Sequence, residues 1–326
     1  MPILLIVARA AHFGSCLTLQ SVFAILLLVL LPAWQSAGGE LSAVCRRVDQ
    51  LLRRLLVACL GVAFVSGFLW FWLAIAGMSG SSLVESLQPG LFWMVLTQTQ
   101  PGQVWLLRAG LGLGFVIALF CVSRTSRGLL SGSGPALPCA LFSTLLTASL
   151  AWLGHAGAGE GPNQNLQLIG DLLHLIAAGF WPAGLVPAAV FLPCLFRARE
   201  PEALLAACAA ARRFSLLSVV AVDALVLSGL ANTWFLVGTF HALLATEYGR
   251  LLIIKLVLFG AMFCIGAWNL LVLKPQLDVA DSMPPGGAQA AALAKITRNV
   301  LIEIALGALV LLIVGLLGIT APGIHS

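Results

Sequence analysis

Long apolar stretches, each bounded by short polar or Gly/Pro-rich segments, recur along the whole 326-residue chain. The pattern predicts helices at about 3–31, 51–77, 104–122, 136–154, 166–192, 214–238, 249–273 and 296–319. These runs sit near the roughly 20 residues that a helix needs to cross about 30 Å of hydrocarbon. Continuous Leu/Val/Ala runs, rather than alternation, exclude a closed barrel, the only other structure that satisfies its backbone polar groups in lipid. The expected fold class is all-α: a polytopic membrane helix bundle of about eight transmembrane helices, in a single transmembrane domain over 1–326. The first helix is too long, and too poor in amino-terminal basic residues, for a cleaved signal peptide. Pro182 and Pro187 are expected to bend the fifth helix. The segment Gln276–Ala294, with Pro284-Pro285 and Gly286-Gly287, reads as disordered.

Composition agrees with this reading. Hydrophobic residues make up 60% of the chain and charged residues 9%, against roughly 25% charged in an ordinary soluble domain. The net charge of +5 does not imply nucleic acid, because the basic residues cluster at helix ends. Arg46, Arg47, Arg53, Arg54, Arg124, Arg127, Arg197, Arg199, Arg212, Arg213, Lys274, Lys295 and Arg298 fall on alternate connections, whereas the opposite set offers only Arg250 near a helix mouth. Basic residues mark the cytoplasmic side of short loops, so both termini are expected to face outward. The eight Cys are scattered, with no C-x-x-C pair, and read mostly as small apolar packing residues. Trp70, Phe71 and Trp72 read as an interfacial aromatic belt.

Within this frame the hairpin Ala151–Pro193 stands out, because it carries Asp171 and His174 into what should be hydrocarbon, where an ionisable group is costly and is usually kept to pair, bind or transport. All five His, His12, His155, His174, His241 and His325, fall on or near the outward side of the predicted topology. At 1.5 Å per residue, His12 lies roughly 13 Å and His174 roughly 12 Å below the outer starts of their helices. Two imidazoles at one level are placed to share a ligand, and Asp171, one turn before His174, to orient it. Arg9, His12, Cys16 and Gln20 form a polar stripe that must face protein or water.

For His12, His155 and His174 the functional reading is a metal site in an outward vestibule, since imidazole suits copper, zinc, iron and nickel. The plainer reading is interhelical hydrogen bonding, which membrane helices also use. Cys16 is the one Cys placed to join His12 as a ligand. Met78 and Met94 stand in the outer loop after the second helix as candidate Cu(I) donors, or as interfacial packing. Asp223, Lys255 and Glu303 are the other charges within helices; an Asp223–Lys255 pair accounts for two of them. Arg108 and Arg250 read as snorkelling to the outer interface. The chain has no P-loop, G-x-S-x-G or H-E-x-x-H run, and no enzyme activity is expected.

The run G-H-A-G-A-G (Gly154–Gly159), followed by D-L-L-H-L-I-A-A-G-F-W (Asp171–Trp181), resembles the copper resistance D family, CopD/PcoD, of bacterial inner-membrane proteins. Further matches are R-A-A-H (Arg9–His12), R-F-S-L-L-S-V-V-A-V (Arg213–Val222) leading to S-G-L-A-N (Ser228–Asn232), E-Y-G-R-L-L-I-I-K (Glu247–Lys255) and L-I-E-I-A-L-G (Leu301–Gly307). The resemblance implies an eight-helix, multi-pass protein of the bacterial inner membrane that works with a periplasmic CopC-like copper carrier and moves copper toward the cytoplasm. It places a copper-handling role on His12, His155 and His174. The chain departs from the family in being Met-poor on its outer loops. Two other functions remain open at the level of sequence: a membrane cytochrome with His pairs as axial ligands of haem b, and a non-transporting protein that delivers copper or assists assembly.

Overall fold

The computed structural model describes residues 2–37, 43–125, 128–158, 163–198, 200–278 and 287–325, and among these there is no strand. Eight helices are long and apolar enough to span a membrane: α1 (Pro2–Ser36), α2 (Ala43–Ser79), α3 (Gln100–Arg124), α4 (Ala136–Leu153), α5 (Gln164–Arg197), α6 (Pro201–Leu236), α7 (Glu247–Leu277) and α8 (Gln289–Leu317). The all-α polytopic bundle predicted from the hydrophobic pattern is therefore the observed architecture.

The helices run past the predicted ends wherever small or polar residues continue a helical face. α6 starts at Pro201, in the first turn where proline's missing N–H costs nothing. Its first turns bury Ala203, Ala206, Ala207 and Ala210 completely, and this stretch packs on the end of α1. In the connection after α2, Pro89–Gln98 is a helix, with Val95 packed against Phe71 and Ile75. The stretch read as disordered is helical from Gly287 onward; residues 279–286 lie outside the described residues, as do Arg127, Arg199 and Glu160.

Prolines set the local irregularities. In α1 the backbone N–H of Leu31 donates to Leu26 O just before Pro32, and in α7 that of Lys274 donates to Asn269 O just before Pro275. In both, one turn widens to a π-helix where proline crowds the preceding turn and cannot donate. α5 breaks at Trp181–Gly184, at Pro182, as expected. Pro187 instead sits in the first turn of the resumed helix, Leu185–Arg197, and needs no bend of its own.

α1 occupies the centre. It packs against α2, α4, α5, α6 and α8, and 83% of its most apolar window is buried, against 11% for α7. The most enclosed helix of the bundle is thus also the one with the polar stripe, which faces neighbouring helices instead of water; His12 and Cys16 find polar partners there, whereas Arg9 Nε and Gln20 Oε1 are buried without a hydrogen bond among the described residues. At one end of the bundle Arg47 and Arg197 line a shallow cavity of about 200 Å³. At the other, Gln100 donates to Trp152 O and the ring of His155 reaches Leu317 O. The basic and histidine-bearing ends are therefore opposite, as the alternation of loops predicts.

Candidate functional site

The first cluster is built around α1. His12 is 4% exposed, and its Nδ1 lies 2.9 Å from Ala63 O. A carbonyl only accepts, so Nδ1 carries the proton and Nε2 keeps its lone pair. That lone pair accepts from Arg108 Nη2 at 2.6 Å. Cys16, one turn further on and fully buried, brings Sγ to 3.7 Å from His12 Nε2 and 3.4 Å from Arg108 Nη2. Arg108 Nη1 donates to Leu146 O at 2.7 Å and to Ser149 Oγ at 2.6 Å. Four helices thus fix one imidazole nitrogen and one sulfur, both facing the same guanidinium.

Aromatic rings close this cluster. Trp70 and Trp105 stand with ring centroids 5.7 and 5.2 Å from His12, and Arg9 lies over Trp70, 4.5 Å from the ring centroid. Trp70 and Phe71 are buried, Trp70 against His12 and Phe71 against Phe92 and Trp105, so these two are packed inside the protein and are not an interfacial belt. Trp72 donates to Leu83 O and Ser86 Oγ. The polar stripe of α1 fans out: Arg9 reaches Trp70, His12 and Cys16 meet Arg108, and Gln20 Nε2 donates to Ile176 O of α5. Gly67 makes room for the ring of His12, because a Cβ there would lie 2.8 Å from His12 Cε1. Gly67→Ala is therefore expected to tilt His12 and to destabilise the protein by about 1–3 kcal/mol, read as a fall in the unfolding midpoint in detergent.

A second polar cluster joins α5, α6 and α7. Asp171 and His174 share a face of α5 but are held by separate residues of α6. Asn232 Nδ2 donates to Asp171 Oδ1 at 2.6 Å, and His174 Nδ1 lies 3.0 Å from Ser228 Oγ. The hydroxyl of Ser228 donates to Ala224 O, so His174 donates to it through Nδ1 and keeps the lone pair on Nε2. Asp171 does not orient His174; the 171/174 and 232/228 spacings run antiparallel and pair rung by rung. Gly170 permits this closeness, since a Cβ there would lie 2.7 Å from Asn232 Oδ1. Lys255 and Tyr248 are the α7 groups in electrostatic reach of Asp171. The expected Asp223–Lys255 pair is replaced: Lys255 faces Asp171, and Asp223 lies exposed on the wall of a separate cavity.

His155 belongs to the same end as this cluster. Its Nε2 donates to Leu317 O at 3.0 Å, its ring meets Tyr248 edge-on at 5.9 Å, and neighbouring Gly154 lies close to Asp171 Oδ2. The expected convergence of His12, His155 and His174 into one pocket is not formed: among the described residues no three His, Cys, Asp or Glu side chains gather to hold a metal ion. The reason is that α1 turns His12 toward α2 and α3, whereas α5 turns His174 toward α6. Met78 and Met94 are exposed, 51% and 53% respectively. His241 is exposed on the short helix Phe240–Ala245, and the side chain of His325 lies outside the described residues.

Arg108 is the residue of this site that the sequence reading misplaced. It is 3% exposed and turned inward, not snorkelling. A charged residue well inside an apolar run was the available signal, and its i, i+3 neighbour Trp105, which stacks beside both Arg108 and His12, marks the same inward face.

Residues 1–165 match the family profile described as Copper resistance protein D-like, N-terminal domain, and residues 208–317 match that of Copper resistance protein D. The chain is 30% identical over 237 residues to Copper resistance protein D of Pseudomonas syringae pv. tomato, covering 72% of each chain. It is 31% identical over 238 residues to Copper transport protein CutJ of Bacillus subtilis (strain 168), covering 73% of this chain but 42% of that one. It is 28% identical over 250 residues to Inner membrane protein YebZ of Escherichia coli (strain K12), covering 76% of this chain and 77% of that one.

Proposed function

Because the chain belongs to the copper resistance protein D family, we propose that it binds copper between His12 Nε2 and Cys16 Sγ and carries it across the membrane. It is a multi-pass protein of the inner membrane, and the proposed orientation follows the basic loops, with both termini periplasmic. One observation carries the binding proposal: a lone-pair nitrogen and a sulfur 3.7 Å apart on one buried helical face. The zinc–nitrogen and zinc–sulfur bonds of about 2.0 and 2.3 Å, as a guide to metals of this size, ask for a separation of that order, and a thiolate with an imidazole is a donor set that suits Cu(I) as well as zinc. Arg108 occupies the position facing both donors, so it is the cation that copper displaces.

His155 and His174 keep their place in the proposal as the outward reception side, with Asp171 and Tyr248 between them, where a periplasmic CopC-like carrier would deliver the ion. The exposed His241, Met78 and Met94 lie outside the two clusters and have no role in it. A cytochrome with two histidines as axial ligands needs both imidazoles facing one iron, whereas His12 faces Arg108 and His174 faces Ser228; with the family likeness, copper is the better-supported cargo.

The test is uptake of radioactive copper into proteoliposomes containing the purified full chain. Copper is expected inside the vesicles at a rate that scales with the amount of protein and falls to the protein-free level in His12→Ala. A protein that binds Cu(I) yet accumulates none inside would instead be a delivery or assembly protein, and one that binds none would remove the His12–Cys16 site.

A further inference from the structure

On the opposite half of the bundle from the His155–Asp171 cluster, the break in α5 and the facing parts of α6, α7 and α8 enclose a cavity of about 330 Å³. Its walls are chiefly apolar, among them Trp181, Phe214, Val222, Phe263 and Leu270. Glu303, at the midpoint of α8, is on the lining and 1% exposed. One of its carboxylate oxygens, Oε1, is buried without a hydrogen-bond donor among the described residues, and its neighbour across the cavity is Gly266, which has no side chain to offer one. Asp223 and Lys274 are the other charged residues on the lining, so carboxylates outnumber cations two to one. Phe263, Val219 and Leu271 are exposed, so that side of the cavity adjoins the acyl chains.

We propose that this cavity is a binding site for a lipophilic cation: a molecule with an apolar body and an ammonium-type head that donates to Glu303. A cavity of a few hundred Å³ with apolar walls and few polar groups is the usual form of a small-molecule site. An orphaned acceptor inside a membrane span is costly unless a partner completes it. The walls are chiefly apolar, and the polar groups on them, Ser215, Ser218, Asp223 and Asn269 beside Glu303, are too few to replace a full water shell, so a partner with an apolar body fits better than a hydrated ion. The head-group chemistry is set by the buried carboxylate, and the body by the aromatic and aliphatic walls. Nothing in this proposal depends on copper.

The full chain in phosphatidylcholine nanodiscs, irradiated with a diazirine-bearing octylamine and mapped by mass spectrometry, tests it. Labelling is expected on the cavity-lining stretches of α6 and α7, and excess plain octylamine should reduce it at least about fivefold. A diazirine-bearing octanoic acid of equal length should give only background labelling. Glu303→Gln, which keeps the shape and removes the charge, should lower amine labelling by about fivefold or more. Equal labelling by acid and amine, labelling that excess octylamine does not reduce, or labelling unchanged in E303Q overturns the proposal. Should E303Q fail to yield folded protein, Ser218→Trp decides, because it fills the cavity from α6 with Glu303 intact: wild-type labelling in S218W overturns the site, and its loss supports it.

Discussion

His12→Ala is expected to weaken Cu(I) binding at least about a hundredfold, and His12→Ala combined with Cys16→Ser to remove it. Groups that merely orient a metal ligand are worth about 10–100-fold in affinity, so loss of one of only two donors should exceed the top of that range. Arg108→Met moves the other way. In the copper-free protein Arg108 Nη2 donates to His12 Nε2 and contacts Cys16 Sγ, and a hydrogen bond to a charged group contributes about 1.5–3 kcal/mol. Copper has to break these bonds and work against the guanidinium charge, so their removal should tighten Cu(I) binding about tenfold or more. A chromogenic Cu(I) chelator used in competition reads both effects. If Arg108→Met weakens binding as His12→Ala does, Arg108 holds the donors in position and is not the cation displaced by copper.

The opposite signs separate two kinds of residue that an alanine scan alone would merge. His12 and Cys16 supply electron pairs; Arg108 competes for them. The same variant carries a structural cost, because Leu146 O and Ser149 Oγ each lose a buried donor. Unfolding midpoints measured beside the affinities keep the two effects apart.

The helices were legible because an apolar run of about twenty residues has few alternatives in lipid. Their ends were less so: the alanine-rich start of α6 packs on the end of α1, and no one-sequence pattern distinguishes that from a loop flanked by arginines. The π-turns before Pro32 and Pro275 followed the same logic as the break at Pro182, yet needed the backbone itself to be seen. At the site, the residue types were legible and the partnerships were not. His12, His174 and Asp171 all stood out as polar groups in apolar runs. Which neighbour each faces depends on helix rotation, and rotation is set by packing of small residues such as Gly67 and Gly170 against the rings and amides opposite them. Equal depth along two helices therefore did not bring two imidazoles together. Charge misled in a similar way: Arg108 turns inward to His12, Leu146 and Ser149 and Lys255 lies within electrostatic reach of Asp171, where snorkelling and an Asp223 pair were expected.

Asn232→Leu should be among the most destabilising single changes in the outward half of the bundle. Asp171 Oδ1 accepts from Asn232 Nδ2 at 2.6 Å, and among the described residues no other side-chain hydrogen bond reaches it, Lys255 and Tyr248 acting from α7 through their charge and polarity. Leucine removes the donor and leaves a half-buried carboxylate facing an apolar group with Lys255 still in reach, which costs about 1–3 kcal/mol. Measured in a Lys255→Met background, so that no lysine loses its counter-charge, Asp171→Leu with Asn232→Leu takes away both needs together, and replacing both partners by apolar groups can be nearly neutral. The double variant is therefore expected to be more stable than Asn232→Leu alone, with a coupling of about 1–3 kcal/mol between the two positions. Denaturant unfolding in detergent micelles measures it. Strictly additive effects in that background would mean that the α5–α6 ladder holds the helices by shape and not by that hydrogen bond.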